Sequence, residues 1–552
     1  MAKKLLVIGG VAGGATAAAR ARRLDENAEI ILFERGEYIS FANCGLPYYI
    51  GRVIKERESL LVTTAEAFRA RYNIDIRPFS EVTKINRENK KVEVKDIKTG
   101  DIYEESYDRI ILSPGAEPLK PPLEGINSEN IYSLRSIPDS DLIKARVDEK
   151  KPESAVVVGG GFIGLEMAEN LVHRGVKVTI VEMLDQVMAP VDFEMASIVH
   201  AHLRDKGVNL CLGDGVKSFS NADGKTKVTT GKGVEILCDM VVLSIGIRPE
   251  SILAGEAGLE TGKRGGIVVD STMCTSDPDI YAVGDAVEIK DFISGFPTMT
   301  ALAGPANKQG RIAADNAMGR CVTFRGTMGT AIAKVFDLTV ASAGNNEKTL
   351  RQNNTPYIIS YTHSNSHAGY YPDPQMMAVK LIFSPGSGRI LGAQIIGNEG
   401  VDKRIDVIAT AIHGSMTVYD LEELELAYAP PFSSAKDPVN VAGFAAANIL
   451  KGDVKTVNWD GLKDIDTNEE ILIDMRDKDE IDESGTIEGS LHIPVNDLRN
   501  RLNELDRSKK YIPYCAIGLR GYLGYRILVQ NGFKSRNLSG GYKTYKVTTL
   551  QD

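Results

Sequence analysis

Twice in this 552-residue chain a short apolar run breaks into a cluster of glycines, resumes as a helix-forming stretch, and returns as a second apolar run ending in glutamate. The first copy runs from Lys4 to Ile8, through Gly9-Gly-Val-Ala-Gly-Gly14 and a helical stretch to Leu24, then from Glu29 to Phe33 and Glu34. The second runs from Ala155 to Val158, through Gly159-Gly-Gly161-Phe162-Ile163-Gly164 and a helical stretch to His173, then from Lys177 to Val181 and Glu182. Glycines at these positions let the backbone turn tightly and approach a pyrophosphate at a helix N-terminus, and an acid about 20 residues on can accept from a ribose hydroxyl. The second loop fits G-x-G-x-x-G, whereas Val11 stands at the middle glycine position of the first. A lone match is weak, but here each loop lies between a strand and a helix, as its mechanism demands. Two copies predict two nucleotides.

Composition bounds the rest. The length suits three or four domains, and a net charge of -9 with no long basic stretch argues against a nucleic-acid partner. Six cysteines (44, 211, 238, 274, 321 and 515) in so long a chain do not read as a disulfide framework, so a reducing cytoplasm is expected. Lys3-Lys4 followed by Leu5 to Ala19 imitates a secretory signal, but glycines at phosphate-loop spacing interrupt the run and Arg20-Ala-Arg22-Arg23 ends it. No other run reaches about 18 apolar residues, so no membrane span is expected.

Ile110-Ile-Leu-Ser113-Pro-Gly115 and Val241-Val-Leu-Ser-Ile-Gly246 are apolar strands that break at glycine, as if one architecture were repeated, and Thr275-Ser-Asp-Pro-Asp-Ile-Tyr-Ala-Val-Gly284-Asp285 follows. With these segments, residues 1 to about 450 resemble the two-dinucleotide flavoprotein disulfide reductases. The resemblance implies an FAD-binding domain (1–115 and 246–325), an NAD(P)H-binding domain (116–245) and an interface domain (326–450) that pairs two subunits of a homodimer. It implies FAD contacts at Gly9, Val11, Ala12, Gly13, Gly14, Glu34, Arg35, Asn43, Val82, Ser113, Gly115, Gly284, Asp285 and Ala303. NAD(P)H is implied at Gly159, Gly161, Phe162, Ile163, Gly164, Glu182 and Gly246. Glu182 is followed by Met183-Leu184, with no arginine to receive a 2'-phosphate, so NADH is expected to be preferred and NADPH tolerated.

Ser40-Phe41-Ala42-Asn43-Cys44 carries the family's redox thiol. Relatives with Cys-x-x-x-x-Cys close an internal disulfide, but Tyr49 holds the partner position here, so Cys44 must take its second sulfur or oxygen from a substrate. The competing reading is an inert buried cysteine; a place at the start of a helix is expected to give the thiol thiolate character instead. The other cysteines of this region read as packing residues.

A single active cysteine leaves two branches of the family. Peroxidases and oxidases cycle it through sulfenic acid, whereas coenzyme A disulfide reductases use a mixed disulfide with coenzyme A. The peroxidase branch carries a histidine in the phosphate loop, where this chain has Ala12. Thr16, Arg20 and Arg23 share one helix face by their i, i+4, i+7 spacing and could present donors to coenzyme A phosphates; the plainer reading is a solvated face. Ser40, Asn43, Arg71, Lys308 and Lys436 match the remaining coenzyme-contact positions of that branch.

His367-Ala-Gly-Tyr370-Tyr371-Pro372 and Tyr428-Ala-Pro-Pro431 resemble segments that bring tyrosines from the partner subunit to the active cysteine. Their hydroxyls could assist a departing thiolate, although buried aromatics are more often core. Adjacency leaves Tyr370 and Tyr371 as alternatives, and Phe432 can only pack.

After a short polar link (451–457), residues 458–552 resemble a rhodanese domain, with the signature Cys515-Ala-Ile-Gly-Leu-Arg520-Gly521 between a strand and a helix. Such a loop directs backbone N–H groups at the sulfur, favouring a thiolate or persulfide. Only four residues separate Cys515 from Arg520, which suits sulfur rather than a tetrahedral phosphate. The histidines show no metal spacing, and none is expected to hold a metal.

The fold expectation is therefore α/β: two Rossmann-like domains, an α+β dimerisation domain and a C-terminal α/β rhodanese domain. The expected activity is NAD(P)H-dependent, FAD-mediated reduction of coenzyme A disulfide, persulfide or polysulfide at Cys44, with Cys515 handling the outer sulfur. The alternatives are an NADH peroxidase or oxidase, and a sulfur-relay or redox-sensing protein.

Overall fold

The computed structural model describes residues 3–549, so the outer limits expected at 1 and 552 lie outside the described residues. The chain is mixed α/β and divides into two compact units, one running through Asp185 with Gly207–Gly329, the other comprising Gln186–Lys206 and the chain from Thr330 onward.

In the first unit two five-stranded parallel sheets repeat one topology. One orders Ile280–Ala282, Arg109–Leu112, Lys4–Ile8, Glu29–Phe33 and Asp75–Arg77. The other orders Ile131–Ser133, Met240–Leu243, Ser154–Val158, Lys177–Glu182 and Asn209–Leu212. The central strands are continuous apolar runs because both faces are covered, and Leu5, Leu6, Val7, Val156 and Val157 are fully buried. Register sets Ile8 beside Phe33 and Leu112, and Val158 beside Val181 and Leu243, so each glycine loop leaves the carboxyl edge of its sheet. That edge is where open parallel sheets bind nucleotides.

Helix Ala12–Leu24 buries an alanine face and lies against Ala303–Ala317, where Gly310 comes so close to Gly13 that a Cβ would collide with its carbonyl. Small residues set this spacing; any larger side chain would force the helices apart.

The second unit holds a five-stranded antiparallel sheet ordered Ala331–Val335, Leu338–Gly344, Ile390–Gly397, Met376–Phe383 and Ile358–Asn365, with helices Val401–His413 and Pro438–Leu450. Segment Gln186–Lys206 packs here, although the sequence placed it within 116–245. Lys380 explains why: its fully buried Nζ contacts Asp192 Oδ2 (2.8 Å), Glu347 Oε1 (2.5 Å) and Glu194 Oε1. Burial alone would lower the Lys380 pKa, but Tyr361 and the three carboxylates hold it well above its ordinary value.

From Glu470 the chain forms a four-stranded parallel sheet, ordered Leu491–His492, Glu470–Asp474, Lys510–Tyr514 and Lys534–Ser535. The short polar link expected at 451–457 is partly built into this domain: Thr456–Val457 pairs in parallel with Asn537–Leu538, and Arg526 Nη1 donates to the Asp453 carbonyl at 2.7 Å. Helix Gly541–Thr549 then ties the domain to the antiparallel sheet through a 3.0 Å contact between Thr544 Oγ1 and His363 Nε2.

Candidate active site

The two glycine loops match bond for bond. Gly9 N–H donates to the Phe33 carbonyl (2.8 Å), Gly10 N–H to Glu34 Oε2 (2.8 Å) and Gly36 N–H to Glu34 Oε1 (2.8 Å). In the second loop, Gly159 N–H donates to the Val181 carbonyl (2.8 Å), Gly160 N–H to Glu182 Oε2 (2.7 Å) and Leu184 N–H to Glu182 Oε1 (2.9 Å). Gly9 and Gly159 have φ of +96° and +105°, and a Cβ on either would strike the carbonyl of Ser113 or Ser244. Each acid is thus fixed through both oxygens at the end of its strand.

The surroundings suit two dinucleotides. A Cβ at Gly161 would meet nothing within 4 Å, leaving an open cradle beside the helix Phe162–His173. The buried Ser244 hydroxyl has no protein partner. Asp285, in the turn Gly284–Ala286, receives no hydrogen bond from the described residues; burial raises its pKa, opposed by Arg135. These groups fit a nucleotide's phosphates and hydroxyls. Nearby, Gly284 N–H donates to Gln309 (2.8 Å), while Arg35 and Arg135 both hold Glu250. Val82 is buried in Ser80–Asn86, Ala303 opens its helix, and Gly115 and Gly246 take positive φ after their strands. Ile163 is exposed in the first turn after the second loop.

Cys44 lies in the single turn Asn43–Gly45, ahead of a helix of only five residues, Leu46–Ile50. The expected thiolate character does not follow from these protein groups. The residue is solvent-exposed, yet enough protein surrounds its sulfur that burial raises its pKa, reinforced by the negative charges of Glu166 and Asp285. A helix this short has little dipole to oppose them. Tyr48, four residues on, donates to Glu166 Oε1 at 3.4 Å, and burial raises Glu166 to about 7, with Glu169 adding to the rise.

Of the residues matched to coenzyme A, Ser40 sits at φ +47°, a strained left-handed conformation for serine. Thr16 Oγ1 donates to Asn307 (2.5 Å), and Arg20 binds Asp315 (Nη2–Oδ1, 2.8 Å). The helix Ala303–Ala317 thus already engages two members of the predicted donor face. Arg23, Asn43, Arg71 and Lys308 are exposed, as is Lys436 in the second unit.

In that second unit, the two tyrosine-bearing segments meet. Tyr371 N–H donates to the Ala368 carbonyl (2.9 Å) and Ala368 N–H reaches the Pro430 carbonyl (3.4 Å). The Tyr370 and Tyr428 hydroxyls are 2.6 Å apart, and the hydrogen bond from Tyr428 raises the Tyr370 pKa. Tyr371 instead packs edge-on against His367, ring centroids 5.5 Å apart. Tyr370 is 76% exposed and Phe432 71%, so the expected aromatic cluster is an open surface rather than core.

Cys515 is fully buried where the strand Lys510–Tyr514 meets the helix Leu519–Gln530. Gly518, at φ +111°, directs its N–H at Sγ from 3.2 Å. Tyr542 and Lys543 N–H groups fix the carbonyls of Cys515 (2.7 Å) and Ala516 (2.9 Å). Arg520 turns toward Glu480, with 2.6 Å bonds from Nη1 to Oε2 and Nη2 to Oε1. His492 is structural, its Nε2 lying 2.9 Å from the Arg476 carbonyl.

Glu166, Asn307, Asp315, Glu480 and Lys380 were not singled out from the sequence. Glu166 had a local signal there, as an acid two residues beyond the second glycine loop, and Glu480 another, as the acid of a capping box with Asp477. The long-range contacts of Asn307, Asp315, Glu480 and Lys380 join partners 33 to 295 residues away, and spacing carries no trace of such contacts.

Two nucleotide loops around an isolated thiol define a class, the two-nucleotide thiol oxidoreductases. Residues 3–312 match the family model for pyridine nucleotide-disulphide oxidoreductases, 330–438 its dimerisation domain and 459–548 the rhodanese-like domain. The chain is 34% identical to the coenzyme A disulfide reductase of Staphylococcus haemolyticus, over 81% of this chain and all of that protein. Among solved structures, reduced Bacillus anthracis CoADR-RHD is 52% identical with a TM-score of 0.97, covering 99% of this chain and 98% of that one. A NAD-dependent persulfide reductase from A. fulgidus is 40% identical with a TM-score of 0.92, covering 98% and 100%. The protein belongs to the pyridine nucleotide-disulphide oxidoreductase family, as a flavoprotein with a rhodanese domain appended. FAD and a pyridine nucleotide are that family's cofactors. No helix among the described residues is long and apolar enough to cross a membrane.

Proposed function

We propose that the protein is a cytoplasmic homodimer that reduces coenzyme A disulfide and coenzyme A persulfide or polysulfide, with NADH preferred over NADPH. The observation that carries this reading is the lone thiol: Cys44 is free and Tyr49 replaces the second cysteine of the family's internal pair. Its disulfide partner must therefore arrive with the substrate. Similarity to proteins described as coenzyme A disulfide and persulfide reductases supports the substrate class.

FAD, when bound, would relay an electron pair from the nicotinamide to the mixed disulfide formed at Cys44. Gly9, Gly13, Gly14, Glu34 and Asp285 would hold it, and Gly159, Gly161, Gly164 and Glu182 the nicotinamide dinucleotide. Cys44 thiolate attacks one sulfur of the substrate; the Cys44–sulfur bond forms, the substrate's sulfur–sulfur bond breaks, and one thiolate leaves. Tyr370, paired with Tyr428 on an exposed surface, is the residue we assign to protonate that leaving group from the partner subunit; Tyr371 instead packs on His367. The electron pair then reduces the mixed disulfide, releasing the second thiol. With a persulfide, sulfide is the leaving group, and Cys515 with Arg520 loads or unloads the outer sulfur. Thr16, Arg20, Arg23, Ser40, Asn43, Arg71, Lys308 and Lys436 are assigned to coenzyme A, with Arg20 exchanging Asp315 for a phosphate.

Anaerobic turnover of coenzyme A disulfide and persulfide by wild type, Cys44→Ser and Cys515→Ser tests this. Disulfide turnover should vanish with Cys44→Ser alone, while Cys515→Ser should slow persulfide or polysulfide turnover. Reoxidation of reduced enzyme much faster by peroxide than by either substrate would favour a peroxidase; no NADH consumption with any acceptor would favour a relay protein.

A further inference from the structure

The arginine that closes the sulfur-binding loop is already spent. Arg520 offers both terminal nitrogens to Glu480 at 2.6 Å, and its Nη1 also lies 3.3 Å from Asp477 Oδ2. The two acids are built into place. Asp477 caps the helix Lys478–Ser484, and Glu480 Oε2 accepts the Asp477 N–H at 3.2 Å. Side-chain exposure is 29% for Arg520 and 34% for Glu480, so the pair is partly shielded rather than a loose surface contact. Its bidentate geometry is the strong form of a carboxylate–guanidinium pair. The neighbouring cation Arg476 is likewise committed, to Asp474 at 2.6 and 2.9 Å.

A loop with a free arginine would attract a sulfur donor in proportion to the donor's charge at the reacting end. Here that arginine faces two carboxylates, and a second negative charge on the donor gains little from it. Resting on the reading of Cys515 as a sulfur carrier, we propose that Glu480, assisted by Asp477, is a specificity-determining residue. It holds Arg520 neutralised and so selects singly charged organic persulfides over dianionic donors of the thiosulfate class. In the disfavoured reaction, Cys515 thiolate attacks the outer sulfur of thiosulfate. The Cys515–sulfur bond forms, the donor's sulfur–sulfur bond breaks, and sulfite departs with the electron pair. The resulting persulfide passes its outer sulfur to an acceptor such as cyanide, giving thiocyanate and regenerating the thiolate.

The test uses the full-length holoenzyme with thiosulfate or a monoanionic alkyl persulfide as donor and cyanide as acceptor, comparing wild type, Glu480→Gln and Asp477→Asn. The amide introduced by Glu480→Gln keeps an oxygen for the Asp477 N–H, so this variant removes charge with little change of shape; Asp477→Asn probes the weaker contact independently. The thiosulfate KM should fall about five-fold in Glu480→Gln, the scale of one partly exposed ion pair, and by less in Asp477→Asn. The ratio of thiosulfate to persulfide KM should fall with it, with kcat for thiosulfate moving less than KM. Equal KM shifts for both donors, or no thiosulfate shift in either variant, would overturn the specificity role. Failure of every form to place a persulfide on Cys515 would overturn the sulfur-carrier reading and this inference together.

Discussion

Tyr370 and Tyr428 lie 58 residues apart in sequence, yet their hydroxyls are 2.6 Å apart on a surface that leaves Tyr370 76% exposed. A hydrogen-bonded hydroxyl pair held open to solvent costs the fold nothing if removed, which makes it separable from stability. Tyr370→Phe and Tyr428→Phe should each lower kcat for coenzyme A disulfide by about 100-fold, the lower range for losing a positioned proton donor, whereas Tyr371→Phe should change it much less. Steady-state rates of the three variants, with thermal unfolding as the folding control, check this.

Glu166 makes a pH prediction at the thiol. Its negative charge helps raise the Cys44 pKa, so Glu166→Gln should lower it, and alkylation of the reduced enzyme should accelerate at lower pH. The carboxyl also affects stability. Its folded-state pKa of about 7 exceeds the ordinary 4.5, so the folded state binds a proton more tightly than the unfolded one. Stability is fully present below about pH 4.5 and falls as pH rises toward 7, by about 1–3 kcal/mol for a partly solvated group. Denaturant titrations across this window should show a smaller fall in Glu166→Gln.

Lys380 is the buried counter-charge for Asp192, Glu194 and Glu347. Lys380→Met should destabilise the protein by about 3–5 kcal/mol, because it strands carboxylates in a buried site. Adding Glu347→Gln should recover part of the loss; chemical denaturation of the single and double variants measures both.

The contrast between these sites shows what a sequence carries. The glycine loops, their strands and Glu34 and Glu182 were legible because nucleotide binding demands local geometry: a positive φ at Gly9 and Gly159 and an acid one strand away. The loop from Cys515 to Arg520 was legible for the same reason. Lys380 reads as an ordinary residue of an apolar strand, and its three acids lie on two distant segments, Asp192 with Glu194 on one and Glu347 on the other. The motif around Cys44 was legible, but the electrostatics of its thiol were not, since Glu166 and Asp285 reach it only in three dimensions and its helix is a single short turn.

Glu182 accepts from Gly160 and Leu184 N–H groups, leaving Met183 between them 72% exposed. Glu182→Gln combined with Met183→Arg should shift the ratio of kcat/KM for NADPH over NADH upward by about 10-fold or more, as a repulsive acid is replaced by a phosphate partner. Initial rates with each nucleotide at fixed acceptor measure the ratio.

The central claim is that Cys44 completes its disulfide with coenzyme A. Intact-mass analysis of the enzyme after anaerobic exposure to stoichiometric coenzyme A disulfide tests it most directly. We expect one coenzyme A per chain, released by NADH, mapped to Cys44 and absent in Cys44→Ser. An unmodified Cys44, or an adduct found on Cys515 instead, would contradict the account.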